Sequence, residues 1–437
     1  MKIFWLTCLL MALPAAASAL SDGETLRAGF AAVDITPPMA LKASLGGYGE
    51  RMSKPAEGVH DRVWAKALVF SNGARRFALV TADILAFPPG FKDAIVAALA
   101  AQGWQGDQIL ILASHSHTSI DMAAIHPGNT FNVPQIGLFN KGLFDLTVAN
   151  FAKVITEASR DLAPITVGTQ SLTLQGWNAN RREGNTLVDP ELTVTRIDRA
   201  DGAPLVALVN WTAHPTFMGP EDMLFSGDWP GQMQRTVEAL VGGHFAVMYF
   251  NGAEGDQTKV ARREGDSHWE QAERYGRELG ILAWQLWKKI KPRRTTVLAA
   301  HFEPIPLPER TWHPDFMQTG GAEYGLTPET AHTILYHMEP PATHSIAMRI
   351  GDLMIVSVPG ELAAGLGLAV KAQVRQATGI RHVVIGGLAD EWIGYILSAE
   401  EYQKGGYEAS MSFYGPTLGA VLTQGIERGA DRLWQQK

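Results

Sequence analysis

Cysteine is almost missing from this chain. The single one, Cys8, stands inside an apolar leader, so the chain without that leader has no disulfide and no thiol chemistry. Clustered positive charge is missing as well. No basic run exceeds Arg262-Arg263 or Lys288-Lys289, and the net charge is −7, which argues against nucleic acid as a partner. Beyond the leader no apolar stretch is long enough to span a bilayer, so no transmembrane segment is expected. Repeats, heptads and low-complexity tracts are also absent. The expected partners are small molecules or lipids, with at most a transient contact to a membrane surface. Nothing in the sequence speaks to oligomeric state.

The leader itself, "MKIFWLTCLLMALPAAASAL", has a basic start at Lys2, a short apolar stretch broken by Pro14, and the small-residue exit Ala17-Ser18-Ala19. This pattern is that of a secretory signal, residues 1–19, and it predicts a secreted or periplasmic protein. The remainder, 20–437, shows no convincing internal boundary and reads as one large domain. Its composition, 46% hydrophobic and 19% charged over the whole chain, is that of a globular protein.

Three segments share one design. Asn72-Gly73, Asp201-Gly202 and Gly351-Asp352 each separate two apolar strands, which is a strong hairpin signal. In each hairpin the second strand is almost continuously apolar, as a strand covered on both faces should be. Helical periodicity appears over Lys141 to Asp161, Trp229 to Val241, His268 to Ile290, Glu361 to Gln376 and Leu418 to Trp434. The expected fold is therefore α/β, with mixed sheets built from hairpins and covered by helices. Pro304 to Pro341 is rich in Pro, Gly and aromatics and reads either as a lid or binding loop over the surface or as a poorly ordered connector. Trp284 and Trp287 are read as core packing of their helix, with an apolar contact surface as the alternative.

Several apolar runs end at potential ligands or acids: Asp83, His115, His214, Glu254, Glu361 and Asp390. In α/β folds ligands gather beyond the carboxyl ends of strands. The stretch "ILILASHSH" ends in two imidazoles, and residues two apart in an extended chain point the same way. His115 and His117 are thus a candidate metal pair, and His214 in "NWTAHPT" adds a third imidazole. The turn "NGAEGDQTK" carries Glu254, Asp256 and Thr258, whose backbone and hydroxyl could stabilise an oxyanion or merely cap a turn. Glu361 is expected at the start of a helix, where unsatisfied N–H groups favour a carboxylate.

In order along the chain stand "AGFAAVDITPP", "GGYGE", "HDRVWAKALVF", "ASHSHTS", "NWTAHPT", "SGDWPGQ", "NGAEGDQT", "VPGELAAG" and "GYILSAEEYQKGGYEASMSFYGP". The set resembles the neutral (alkaline, non-lysosomal) ceramidases, a family of zinc-dependent amidases. The resemblance implies zinc ligands at His115, His214, Glu361 and Tyr395. It implies His117 and Tyr407 facing the substrate and Arg181 of "NANRREG" contacting it, where the residue alone reads as a solvated loop charge. Two departures stand out. The family's Gly-Asp-x-Ser-Pro loop is Gly255-Asp256-Gln257-Thr258-Lys259 here, and the family's C-terminal immunoglobulin-like domain is not expected.

The function that follows is a secreted zinc hydrolase cleaving the amide bond of an N-acyl, ceramide-like lipid. In it Thr258 serves as a hydrogen bonder rather than a nucleophile. Asp83 and Asp228 either orient the histidines or cap turns. The alternatives are an esterase or phosphoesterase on the same zinc, or an inactive lipid- or glycan-binding homologue.

Overall fold

Continuous apolar strands need two covered faces, and in this protein they have them. The computed structural model describes residues 25–435, so the secretory leader expected at 1–19 lies outside the described residues. Eight strands form the body of a large mixed sheet: β1 (Arg27–Asp34), β2 (Trp64–Ser71), β3 (Arg76–Ala82), β4 (Ile109–Ala113), β5 (Ala163–Thr173), β6 (Glu191–Arg199), β7 (Pro204–Trp211) and β8 (Ala246–Asn251). Their order is β8-β7-β6-β5-β1-β2-β3-β4, with the short strand Arg293–Arg294 beside β5. The outer pairs β3–β4 and β7–β8 are parallel and the inner pairs antiparallel. A second sheet, β9 (Leu298–Pro306), β10 (Ala342–Ile350), β11 (Leu353–Ser357) and β12 (His382–Gly386), ends in a parallel β11–β12 pair.

The two sheets stack face to face, and the side-chain alternation of single strands shows it. On β4, Leu110 and Leu112 enter the core between the sheets, where Ile346, Met348 and Ile355 meet them. Ile109 and Ile111 point the other way, under α1 (Phe91–Ala98) and α2 (Lys141–Ala158). On β7, Val206 and Leu208 face the second sheet, while Val209 and Trp211 pack under α3 (Asp228–Val241) and α4 (His268–Lys289). On β11, Met354 and Val356 pack outward, under α6 (Ala364–Thr378) and α7 (Leu418–Gln435). Helix α5 (Pro328–Met338) lies between β9 and β10 in the chain. The architecture is thus helix, sheet, sheet, helix. A strand that feeds two cores cannot alternate apolar with polar residues, which accounts for the unbroken runs.

The three expected hairpins form, with Ser71 paired to Arg76 at the first turn, and Gly73 and Gly202 take the positive φ (86° and 92°) that such turns require. Three expectations need correction. The helix expected from Glu361 begins only at Ala364, because Glu361–Leu362 instead pairs in parallel with Tyr395–Ile396 and spends its backbone groups there. The helix expected to run to Asp161 stops at Ala158, where Ser159 caps it before β5 begins. The Pro304–Pro341 segment is not a loose connector. It ends β9 and carries α5, which starts at a Thr327 capping box with Pro at its first turn and lines a cavity through Ile334 and Leu335. Trp287 is buried in the core and Trp284 packs partly against it, as the core reading holds.

Leu112 is fully buried between the sheets and touches the backbone position of Gly386. Leu112→Ala is expected to destabilise the protein by ~2–5 kcal/mol through the cavity it leaves, measured by urea unfolding.

Candidate metal centre and active site

The three parallel strand pairs of the two large sheets run their carboxyl ends toward one place, and the candidate site residues follow those ends. His115 and His117 come just after β4, His214 after β7, Glu254 after β8, Glu361 after β11 and Tyr395 after β12. An antiparallel bridge from Leu112 to Ala389 and the bond from Ile111 N–H to Asp390 Oδ1 lock the two sheets together at this end.

The two histidines do not converge by strand alternation, as the spacing suggested. β4 has already ended, and His115 sits in the left-handed region at φ 71°, where a side chain larger than Gly is disfavoured. That kink, with His115 N–H bonded to Ile84 O, turns the ring inward and brings its Nε2 to 3.4 Å from His117 Nε2.

The protein fixes both ligand-type imidazoles in the same manner. His115 Nδ1 lies 2.8 Å from Leu85 O, and His214 Nδ1 lies 3.0 Å from Gln257 O. A carbonyl only accepts, so each Nδ1 carries the proton and each Nε2 presents a lone pair. Both Nε2 atoms face one atom, Glu361 Oε2, at 3.5 and 3.0 Å. The other oxygen, Oε1, accepts from Trp392 Nε1–H at 2.9 Å. His115, His214, Glu254 and Glu361 each place a donor atom within 4.8 Å of the others, all four being buried, and His115, His117 and His214 form a second such group. A buried cluster of lone pairs, in which the Glu254 oxygens have no side-chain partner among the described residues, is what a cation would satisfy. The donor set fits a divalent metal.

Electrostatics agree with that chemistry. Burial, then the positive Arg181, pull the His214 pKa down to about 3, and burial with the neighbouring His115 holds His117 well below its ordinary value. Burial alone would raise Glu361, but His115 and His214 outweigh it and keep the carboxyl ionised well below the usual range. Neutral imidazoles and an ionised carboxylate are the forms that bind metal. Burial and then Glu361 push Tyr395 well above the ordinary tyrosine value, against the pull of Arg181.

The structure gathers Tyr395 into the cluster, hydrogen-bonded to Glu361 and accepting from Arg181 Nη2 at 2.9 Å. Arg181 also bonds Gly255 O and Glu408, so it is no solvated loop charge. Arg182, beside it, pairs with Glu401 and Glu408. The Tyr407 ring lies 5.7 Å from Tyr395 and its hydroxyl bonds to Tyr324. Thr258 stands apart: its short strand, Gln257–Lys259, pairs with Asn178–Asn180, and it flanks His214 through a parallel bridge rather than lining the cavity. Asp83 and Asp228 do not orient the histidines. Asp83 bonds Gln234 and the Trp64 amide, and Asp228 holds the amides of Phe217 and Trp229, because backbone carbonyls already occupy both Nδ1 atoms.

Trp392 and Glu408 escaped the sequence reading. Nothing in "DEWIGY" marks a ligand-holding indole, and Glu408 acts only because folding brings it to Arg181. His115, His117, Glu361 and Tyr395 open into one cavity whose remaining wall is mostly apolar, including Leu45, Leu85, Ile136, Phe316, Ile334 and Trp392. Gly47, at φ 91°, lies against His117; a Cβ there would meet Nδ1 at 2.2 Å, which explains the "GGYGE" motif.

The family described as "Neutral/alkaline non-lysosomal ceramidase, N-terminal" matches residues 26–255 and 326–424. The chain belongs to this family. It is a hydrolase of the neutral ceramidase type, and the resemblance read from its motifs holds. The neutral ceramidase of Pseudomonas aeruginosa is 25% identical over 96% of this chain and 73% of that protein. That of Mycobacterium tuberculosis is 28% identical over 50% of this chain and 36% of its own length. The crystal structure of the Pseudomonas aeruginosa enzyme superposes with a TM-score of 0.79 at 22% identity, covering 94% of this chain and 75% of that one. A structure described as ceramidase complexed with C2 gives 0.80 at 21%, over 94% and 76%. Trp312, Phe316 and Tyr324, which line the cavity, lie between the two matched stretches.

Two outcomes follow from this geometry. Trp392→Phe frees Glu361 Oε1 and is expected to weaken metal affinity ten- to a hundredfold, read by chelator competition. Burial raises Asp228 to about 7, so between about pH 4 and 7 the folded state holds a proton that the unfolded chain has lost. Stability from this group is therefore lost as pH rises through that window. Asp228→Asn, which tolerates the local φ of 51°, should raise Tm at pH 8 and leave it nearly unchanged at pH 4.

Proposed function

We propose that this chain is an exported zinc-dependent amidohydrolase that cleaves the amide bond of a ceramide-like N-acyl lipid. The observation that carries the proposal is the convergence of two pre-oriented imidazoles on Glu361 Oε2 at the polar end of an apolar cavity. His115, His214, Glu361 and Tyr395 would hold the ion. When bound, zinc supplies Lewis acidity and a water whose pKa falls toward neutrality.

The chain's own residues do the rest. His117 is kept neutral by burial, and its Nε2 faces the cluster, so that nitrogen can take a proton and hand it to the departing amine. Arg51 fixes this segment by bonding the His117 carbonyl. Arg181 donates to the Tyr395 oxygen and holds Gly255, which positions the carboxyl end of the turn beneath Glu361. Tyr407 supplies a hydroxyl next to Tyr395. Thr258 contributes as a hydrogen bonder through the loop that holds His214. The net reaction consumes one water and yields a carboxylate and an amine.

The apolar wall supports an acyl chain or long-chain base as the occupant. Among the described residues no Lys or Arg lines the cavity, which favours a neutral amide over a phosphate ester. Met52, Leu138 and Tyr336 are exposed beside the cavity-lining residues Ser53, Ile136 and Leu335, a rim suited to transient contact with a membrane surface. Among the described residues no helix is long and apolar enough to cross a membrane. The signal-like leader supports a secreted or periplasmic location.

Metal analysis and a side-by-side assay of ceramide, a fatty-acyl ester and an aryl phosphate test this reading. Stoichiometric zinc with ceramide cleaved best is the expected result; a metal-free, inactive protein would contradict it. His115→Ala should lower kcat/KM at least a thousandfold, whereas Thr258→Val should cost less than tenfold because the residue lies outside the cavity wall.

A further inference from the structure

Glu254 is the one member of the buried cluster that neither the family's ligand set nor the mechanism above employs. It follows β8 in the turn Asn251–Asp256, with the residue fully buried. Apart from its own backbone amide, neither carboxyl oxygen has a hydrogen-bond partner among the described residues. Buried polar atoms left in this state are rare in folded proteins, and a buried carboxyl is among the costliest to leave so.

The turn aims the side chain and holds it there. Gln257 N–H bonds Glu254 O at 2.7 Å, and Gly255 N–H bonds Leu362 O at 2.9 Å, which ties this turn to the strand carrying Glu361. Gly387 leaves the space the carboxyl occupies, since a Cβ there would stand 3.1 Å from Glu254 Oε2. One oxygen of Glu254 lies within 4.8 Å of the donor atoms of His115, His214 and Glu361. Metal–ligand bonds of about 2.0–2.2 Å put the ligand atoms of a tetrahedral ion about 3.3–3.6 Å apart, so the set closes on an ion with shifts of at most about 1.5 Å.

Two carboxyl groups meeting in a dry pocket must share a proton or a cation. We propose that Glu254 is a further ligand of the metal centre, giving this chain two histidines and two carboxylates around the ion, with the Tyr395 hydroxyl beside them. The inference rests on the metal-centre reading above. Two carboxylates neutralise a divalent charge completely and move the donor set toward oxygen, which widens the ions it accepts from zinc toward manganese and iron.

The test uses the full chain as wild type, Glu254→Gln, Glu254→Asp and Glu361→Gln, each loaded with zinc. Affinity is read by competition with a chromogenic chelator, the ligand shell by X-ray absorption, and stability by melting with and without metal. Glu254→Gln is expected to weaken zinc at least tenfold and to alter the oxygen ligand shell, while the metal-free protein melts close to wild type. Glu254→Asp, shorter by one methylene, should also weaken zinc tenfold or more, and carries the test if the Gln variant does not fold. Zinc affinity within twofold of wild type, with the ligand shell unchanged, overturns the proposal even if the apoprotein is stabilised. In that case Glu361→Gln still loses metal and the hydrolase reading stands. A wild-type protein that binds no metal overturns both.

Discussion

One oxygen atom, Glu361 Oε2, stands opposite two imidazoles that the backbone has already oriented. Each ring gives its Nδ1 proton to a carbonyl, one from the strand-end loop at Leu85 and one from the turn at Gln257. Those bonds remove the choice of tautomer and most of the rotational freedom of the rings. Without them the lone pairs would scatter, and the carboxylate would lose the donor set it shares.

Keeping that point in place requires the two-sheet stack. His115, His214 and Glu254 extend from the large sheet, whereas Glu361 and Tyr395 extend from the small one. The interface core, from Leu110 and Leu112 to Ile346 and Ile355, sets the distance between the two halves of the site. The short parallel pairing of Glu361 with Tyr395 then sets those two residues side by side. Hydrophobic burial is not directional, so it brings the sheets together; the hydrogen bonds of Asp390, Trp392 and Arg181 settle the final geometry.

Much of the outer design was legible in the chain. The hairpin turns announced themselves because only a few residue types accept their backbone angles, and the unbroken apolar strands announced burial on both faces. His115 and His214 could be suspected from where they stand, just past buried strands. The tyrosine was different. Tyr395 came only through resemblance to a family, since nothing local marks a phenol as a ligand. Glu361 was suspected for the wrong local reason, as a helix-start carboxylate, because strand pairing with a segment more than thirty residues away is invisible in a linear pattern. Thr258 stood in the family's place for a serine, yet its strand pairs so that the residue flanks His214 rather than the cavity.

By itself the sequence determined the layers, the turns and the presence of histidines after apolar strands, because these depend on local propensity and side-chain period. Tertiary structure alone decided that the histidines converge through a left-handed kink, that backbone carbonyls rather than Asp83 or Asp228 hold them, and that Trp392 and Glu254 complete the surroundings of Glu361. Such facts depend on side chains from distant strands meeting in three dimensions, and no periodicity along a chain encodes a meeting point.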